Sequence, residues 1–178
     1  LISGIVIIPI LTAYTFMFFK PEWIPSGTTN NGQLIRPPVQ LDQLKLVGGL
    51  PQEKWLLVHA GLGDCDLACQ EALYFSRQVH TALGKDTSRV ERLYLNAGDE
   101  PGAEFTELLK NEHPRMLVFE VESEHLRSLF PGIDQLLKGN VVLLIDPNGN
   151  VMMSYPAERI GQPMLKDLKH LLRISKIG

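Results

Sequence analysis

Cys65 and Cys69 stand four residues apart in Gly63-Asp64-Cys65-Asp66-Leu67-Ala68-Cys69-Gln70-Glu71, and the chain holds no other cysteine. Residues i and i+4 of a helix lie one above the other on one face, so two sulfurs at this spacing converge on each other or on one soft metal ion. That serves thiol–disulfide exchange, or the binding of Cu(I), which prefers thiolate ligands. The plain alternative is a pair of small buried residues, since a free cysteine packs as a small hydrophobe. His59, at the end of the apolar run WLLVH, is a further candidate metal ligand, although a lone histidine among apolar residues also reads as structural. His80 lies about 16 Å beyond Cys69 by helical rise, and His113, His125 and His170 read as surface residues. Asp64 and Asp66 bring oxygen atoms that match Cu(I) poorly and oppose thiolate formation by like charge. Asp64 also reads as the cap of the helix that follows.

The elements that must position these residues follow from the hydrophobic periodicity. Residues 55–59 form a short buried strand, a glycine-rich turn follows, and a helix runs from about 65 to 83. Leu67, Ala68, Ala72, Phe75, Val79 and Leu83 supply its inward stripe. Then come a strand at 90–95, a helix at 100–111, a strand at 116–121, a short helix at 123–130 and a strongly apolar strand at 141–146. Pro147-Asn148-Gly149-Asn150 is a turn with an Asn-Gly signal, so 151–155 returns as a hairpin strand, and a last helix covers 163–174. This order predicts an α/β domain with a mixed sheet flanked by helices. A cysteine at the N-terminus of the helix after the first core strand meets unpaired N–H groups and a partial positive charge, which favour thiolate.

The remaining 38 residues predict a different environment. Residues 1–19 carry no charge and would rise about 28 Å as a helix, close to the hydrocarbon thickness of a bilayer. They predict one N-terminal transmembrane helix, with Tyr14, Phe16 to Phe19 and Trp23 at one interface. No small-residue cleavage site follows, which favours an anchor over a signal peptide. Residues 20–38 are rich in Pro, Gly, Thr and Asn and read as a stiff connector, with the folded domain at 39–178 and 39–46 as an edge strand or hairpin element. A lone cysteine pair on a tethered domain predicts an oxidising compartment. With 17 Lys and Arg against 20 Asp and Glu, scattered along the chain, nothing suggests nucleic acid. There is no paired-histidine helix and no phosphate loop.

The segment WLLVHAGLGDCDLACQEAL resembles the redox segment of the Sco/SenC family, and LLIDPNGNVMMSY is similar to that family's late strand, turn and returning strand. The resemblance covers nearly the whole chain, anchor and connector included. It implies a thioredoxin-like fold, an inner-membrane protein with its domain on the periplasmic side, and work in cytochrome c oxidase assembly with oxidase subunits as partners. It further implies Cys65 and Cys69 as copper ligands or as a redox pair, at most a thiol–disulfide oxidoreductase. Three departures stand against a simple transfer. Asp66 and Gln70 replace the proline that usually follows each cysteine, Leu137-Lys138-Gly139-Asn140 lacks the family's late histidine ligand, and no proline precedes Val141. An accessory subunit or scaffold of the oxidase that has lost the copper-site histidine is the alternative.

Overall fold

Among the described residues the apolar runs become strands of one six-stranded sheet, and the stretches of helical period become helices. The computed structural model describes residues 2–19, 29–41, 46, 49–130, 133–135, 137, 138 and 140–177. Its strands are β1 (Gln33–Gln40), β2 (Trp55–Gly61), β3 (Val90–Asn96), β4 (Leu117–Glu120), β5 (Val141–Ile145) and β6 (Asn150–Pro156). Its helices are α1 (Ile2–Phe19), α2 (Leu67–Ala82), α3 (Ala103–Glu112), α4 (Ser123–Leu129) and α5 (Gln162–Ile174). The chain divides into two units, Leu1–Asn30 and Asn31–Gly178, each described by itself.

In the first unit, α1 contains Pro9 and no acidic or basic residue at its ends. Every side chain from Ile5 through Thr15 is exposed. Its 18 residues rise about 27 Å, a little under the roughly 30 Å of a bilayer core. Among the described residues no helix is long and apolar enough to cross a membrane. The first part of the expected connector, 20–28, lies outside the described residues.

In the second unit the strand order is β1-β6-β5-β2-β3-β4. Strands β2, β3 and β4 run parallel, while β5 is antiparallel to β2 and to β6, and β1 is antiparallel to β6. This is the mixed sheet that the sequence predicts. Central β2 is buried along its whole length, as an unbroken apolar run in a two-sided sheet should be. The β5–β6 hairpin closes as expected, with Gly149 at φ 84° and Asp146 Oδ1 accepting from the Asn148 and Asn150 N–H groups at 2.9 and 2.8 Å.

Strand β1 begins inside the stretch read as connector. Its Pro37 and Pro38 suggest a loop, yet an edge strand tolerates residues that cannot donate, and the register shifts between Leu34 and Val39. Of the run expected as an edge element at 39–46, Val39 and Gln40 belong to β1, and 42–45 lie outside the described residues.

The inward stripe of α2 also differs from expectation. The buried positions are Cys69, Ala72, Leu73, Ser76 and Val79, whereas Leu67 is 78% exposed and Phe75 43%. Ala72, Val79 and Leu83 are buried as expected, but at 100° per residue Leu67 falls on the far side of the helix from that buried arc, so apolar character alone misplaced it.

One face of the sheet packs Trp55, Leu57, Leu144 and Tyr155 against Val79 of α2 and Met164, Leu168 and Leu172 of α5. The other packs Val58, Ala60, Leu93 and Leu95 against Leu126 of α4 and the segment that follows it. The start of this unit is fastened to α5. The buried Asp167 carboxylate accepts from the N–H groups of Asn31 (2.7 Å) and Gly32 (2.9 Å), from Asn31 Nδ2 (2.7 Å) and from the Tyr155 hydroxyl (2.9 Å).

Candidate redox site

Parallel pairing sets the C-terminal ends of β2, β3 and β4 side by side, because Gly61 pairs with Asn96 and Asn96 with Glu120. The loops leaving these strands therefore share one edge. The cysteine loop crosses directly over the loop after β3: a Cβ on Gly98 would meet the Leu62 backbone at 2.3 Å, and one on Gly63 would meet the Asp99 carbonyl at 2.9 Å. Asn96 Nδ2 ties the edge together by donating to the Asp99 carbonyl (2.9 Å) and to Glu120 Oε2 (2.8 Å).

Cys65 and Cys69 are joined in a disulfide, with Cα atoms 5.3 Å apart. Helix α2 starts later than the sequence predicts, so Cys65 precedes it and Cys69 sits in its first turn. The cap is Asp66, not Asp64: Asp66 Oδ1 accepts from the Cys69 N–H at 2.9 Å, satisfying one of the helix's unpaired donors. Cys69 is buried, and Cys65 is half-buried. Cys65 is thus the more exposed partner of the bond.

Beneath the disulfide, Cys69 packs in a cluster with Leu73, Tyr94, Phe105 and Leu109, and the rings of Tyr94 and Phe105 meet edge to face at 5.1 Å. The Tyr94 hydroxyl is buried without a hydrogen-bond partner among the described residues. It lies under Gly61, where a Cβ would come within 2.0 Å of it. Burial pushes this phenol up to about 12, and the carboxylates of Glu120 and Asp64 add to the shift.

His59 is fully buried on β2, with Nε2 2.8 Å from the Ser76 hydroxyl of α2. Ser76 is two turns along the helix from Cys69, about 10 Å by rise. Burial holds the imidazole well below its ordinary value, and the charge of Arg92 adds to this. His80 bonds the Val90 carbonyl at 2.8 Å. His113 does not lie on the surface as expected; it ends α3 facing inward, with Nδ1 3.4 Å from Arg92 Nη1. Burial, then Arg92 and Arg77, lower it to about 4. Among the described residues no group of three or more His, Cys, Asp and Glu is placed to hold a metal ion. The soft donors on offer are the two sulfurs, which fit two-coordinate Cu(I) once reduced. In the stretch where the late histidine was sought, Lys138 forms an antiparallel bridge with Gly61, so that position does lie beside the cysteine loop and carries an amine.

The sequence reading missed Arg92. The guanidinium is buried between β3 and α2, donating to the Leu73 carbonyl (2.8 Å) and to Ser76 Oγ (2.8 and 3.3 Å). Burial lowers it to about 10. The signal was the alternation Val90, Arg92, Tyr94, Asn96, a polar face that an open sheet would give to water and that α2 covers here.

Comparison with known proteins accords with this architecture. Residues 55–175 match the family described as "Transmembrane-like, thioredoxin-like, C-terminal domain". No curated protein matches the chain. The fold is similar to that of yeast Sco1 with copper bound, at 14% identity and TM-score 0.54 over 84% of this chain and 96% of that one. It is likewise similar to apo Sco1 from Thermus thermophilus, at 16% identity and TM-score 0.55 over 82% and 99%. A SCO1/SenC family lipoprotein from Bacillus anthracis shares it at 15% identity and TM-score 0.51 over 78% and 97%. The domain therefore has a Sco-like thioredoxin fold.

Proposed function

Because the chain belongs to the transmembrane-like, thioredoxin-like C-terminal domain family, we propose that it is a membrane-tethered factor serving cytochrome c oxidase biogenesis through Cys65 and Cys69. The observation that carries this reading is the disulfide at the start of α2, which joins a half-buried residue, Cys65, to a buried one, Cys69. A thiolate of a partner protein attacks Cys65 Sγ, forming a mixed disulfide and breaking the bond to Cys69, which leaves as a thiolate. The first turn of α2 favours that thiolate. A second thiol of the partner then displaces Cys65, so the partner's dithiol is oxidised and this pair reduced. In the reverse direction, the Cys65 thiolate of the reduced pair attacks a disulfide of an oxidase copper site, and Cys69 then displaces the partner sulfur to close the bond seen here. The copper-site cysteines, the substrate class, are left as thiols able to take Cu(I).

Copper enters this reading as cargo. The reduced pair offers two soft sulfurs to Cu(I), and yeast Sco1, a protein of the same fold, is known with copper bound. His59 remains a candidate third ligand only if it leaves Ser76. The tether is α1, uncharged and exposed from Ile5 through Thr15, with the domain in the periplasm, where disulfides persist.

Two measurements test the proposal. The parent and the Cys65→Ser, Cys69→Ser double variant are compared for restoring oxidase activity to a deletion strain, and the reduced domain of each is titrated with Cu(I). Loss of both activities in the double variant supports the reading. Full restoration by the double variant overturns it in favour of an accessory subunit or scaffold, an alternative favoured by a lysine, Lys138, and not a histidine, pairing through its backbone with Gly61 in the stretch where a third ligand was sought.

A further inference from the structure

The edge that carries the disulfide is rich in carboxylates, and the cation that reaches back to it, Arg127 on Ser123 Oγ (3.2 Å), is paired with Asp134. Residues 61–76, 96–109 and 116–126 contain the loops and helix starts that follow β2, β3 and β4, and they hold three, four and three acidic residues. They contain no Lys or Arg. All ten carboxylates are on exposed residues. Strand register and loop packing bring them together: a Cβ on Gly102 would lie 3.3 Å from Asp64 Oδ1, and Glu120 is held by Asn96, which also binds the Asp99 carbonyl. On the β5 side the bridge from Gly61 to Lys138 marks where this surface ends.

Two further observations point to an occupant. Leu62 and Leu67, on either side of Cys65, are 48% and 78% exposed, apolar steps beside the more exposed cysteine. The fully buried Tyr94 hydroxyl, directed at this edge under Gly61, has no partner among the described residues and stands as a donor for an incoming acceptor. Carboxylates that crowd a disulfide repel acidic thiol carriers and attract basic ones.

We propose that this edge is a docking surface for a lysine- and arginine-rich segment of a partner protein, which presents an apolar residue and a cysteine to Cys65. The proposal deepens the exchange reading above by naming the partner's charge, and it rests on that reading only for the cysteine.

Two labelled peptides test it, acetyl-Lys-Leu-Ser-Lys-Lys-amide and acetyl-Glu-Leu-Ser-Glu-Glu-amide, whose serines remove the thiol chemistry. Fluorescence anisotropy with the full chain should show the basic peptide binding at least about tenfold more tightly at low ionic strength. The preference should collapse at about 0.5 M salt, where charges farther apart than a few ångströms are screened. The triple variant Glu100→Gln, Glu104→Gln, Glu122→Gln should weaken binding of the basic peptide. Equal binding of the two peptides at low salt, or unchanged binding by the triple variant, overturns the proposal. The cysteine forms of the same peptides separate the two readings. Preferred binding of the basic serine peptide with no mixed disulfide from its cysteine form upholds the docking surface and overturns the exchange reading. Mixed disulfides formed equally fast by both, without a binding preference, do the reverse.

Discussion

Arg92 Nη2 donates to the Leu73 carbonyl at 2.8 Å, which places a guanidinium beneath the helix whose first turn holds Cys69. Around it stand two histidines that burial and this same charge keep neutral. Replacing Arg92 by Met removes the charge while filling much of the space. The ring protons of His59 and His113 should then titrate at higher pH in NMR spectra than in the parent. Unchanged titrations would mean that burial alone holds both rings neutral.

The same histidines set a pH dependence of stability. Below the ordinary value of 6.5, the unfolded chain takes up protons that folded His113 refuses until about 4. Each such proton favours unfolding, so the contribution is full above about pH 7 and is lost as pH falls through that window. Urea midpoints should fall more steeply from pH 6.5 to 4.5 in the parent than in His113→Gln, and equal slopes would refute the assignment.

Asp66 caps α2 at the point where Cys65 leaves it. Asp66→Ala should cost about 1 kcal/mol, while Asp66→Asn, which still accepts, should cost little. Equilibrium unfolding of the oxidised protein checks both. The reduced Asp66→Ala protein should also lose helical signal at the first turn of α2, read by amide hydrogen exchange at Cys69 and Gln70.

Gly61 and the Tyr94 hydroxyl compete for one space. A Cβ at residue 61 would sit 2.0 Å from that oxygen, so Gly61→Ala should destabilise by about 3 kcal/mol through overpacking. Tyr94→Phe deletes the offending atom and should restore part of the loss in the double variant. Additive effects of the two substitutions would place the clash elsewhere.

Asp167 gathers four donors while buried. Asp167→Ala leaves them unpaired, and a cost of about 3 kcal/mol or more is expected from the lost charged hydrogen bonds. Limited proteolysis should then cut between residues 31 and 40 before the rest of the domain. Protection equal to the parent would show that β1 holds without this clamp.

The strand sequence of the domain was legible because its signals are local and repeated. Residues 55–59 and 141–146 are apolar throughout, and Asn148-Gly149 names its own turn, so β2, β5 and the hairpin to β6 could be placed within a few residues. Strand β1 was hidden because Pro37 and Pro38 are loop residues everywhere except at a sheet edge, and an edge is a property of the assembled sheet. The cysteine pair was legible as a pair, but its disposition was not. Whether Asp64 or Asp66 caps the helix decides which cysteine is the more exposed, and both residues are equally good caps in sequence. His59 and His113 look alike in sequence to surface or ligand histidines. Their fate depends on Ser76 and Arg92, which meet them only across the β3–α2 packing.

The acidic edge also governs how copies of this protein meet one another. Two molecules that approach with their Cys65 sulfurs facing would bring exposed carboxylates against exposed carboxylates, a like-charge encounter that costs energy before any bond forms. Covalent dimerisation through this corner is thereby discouraged at the collision stage, however densely the protein is packed. The charge that selects a dissimilar visitor also enforces self-avoidance.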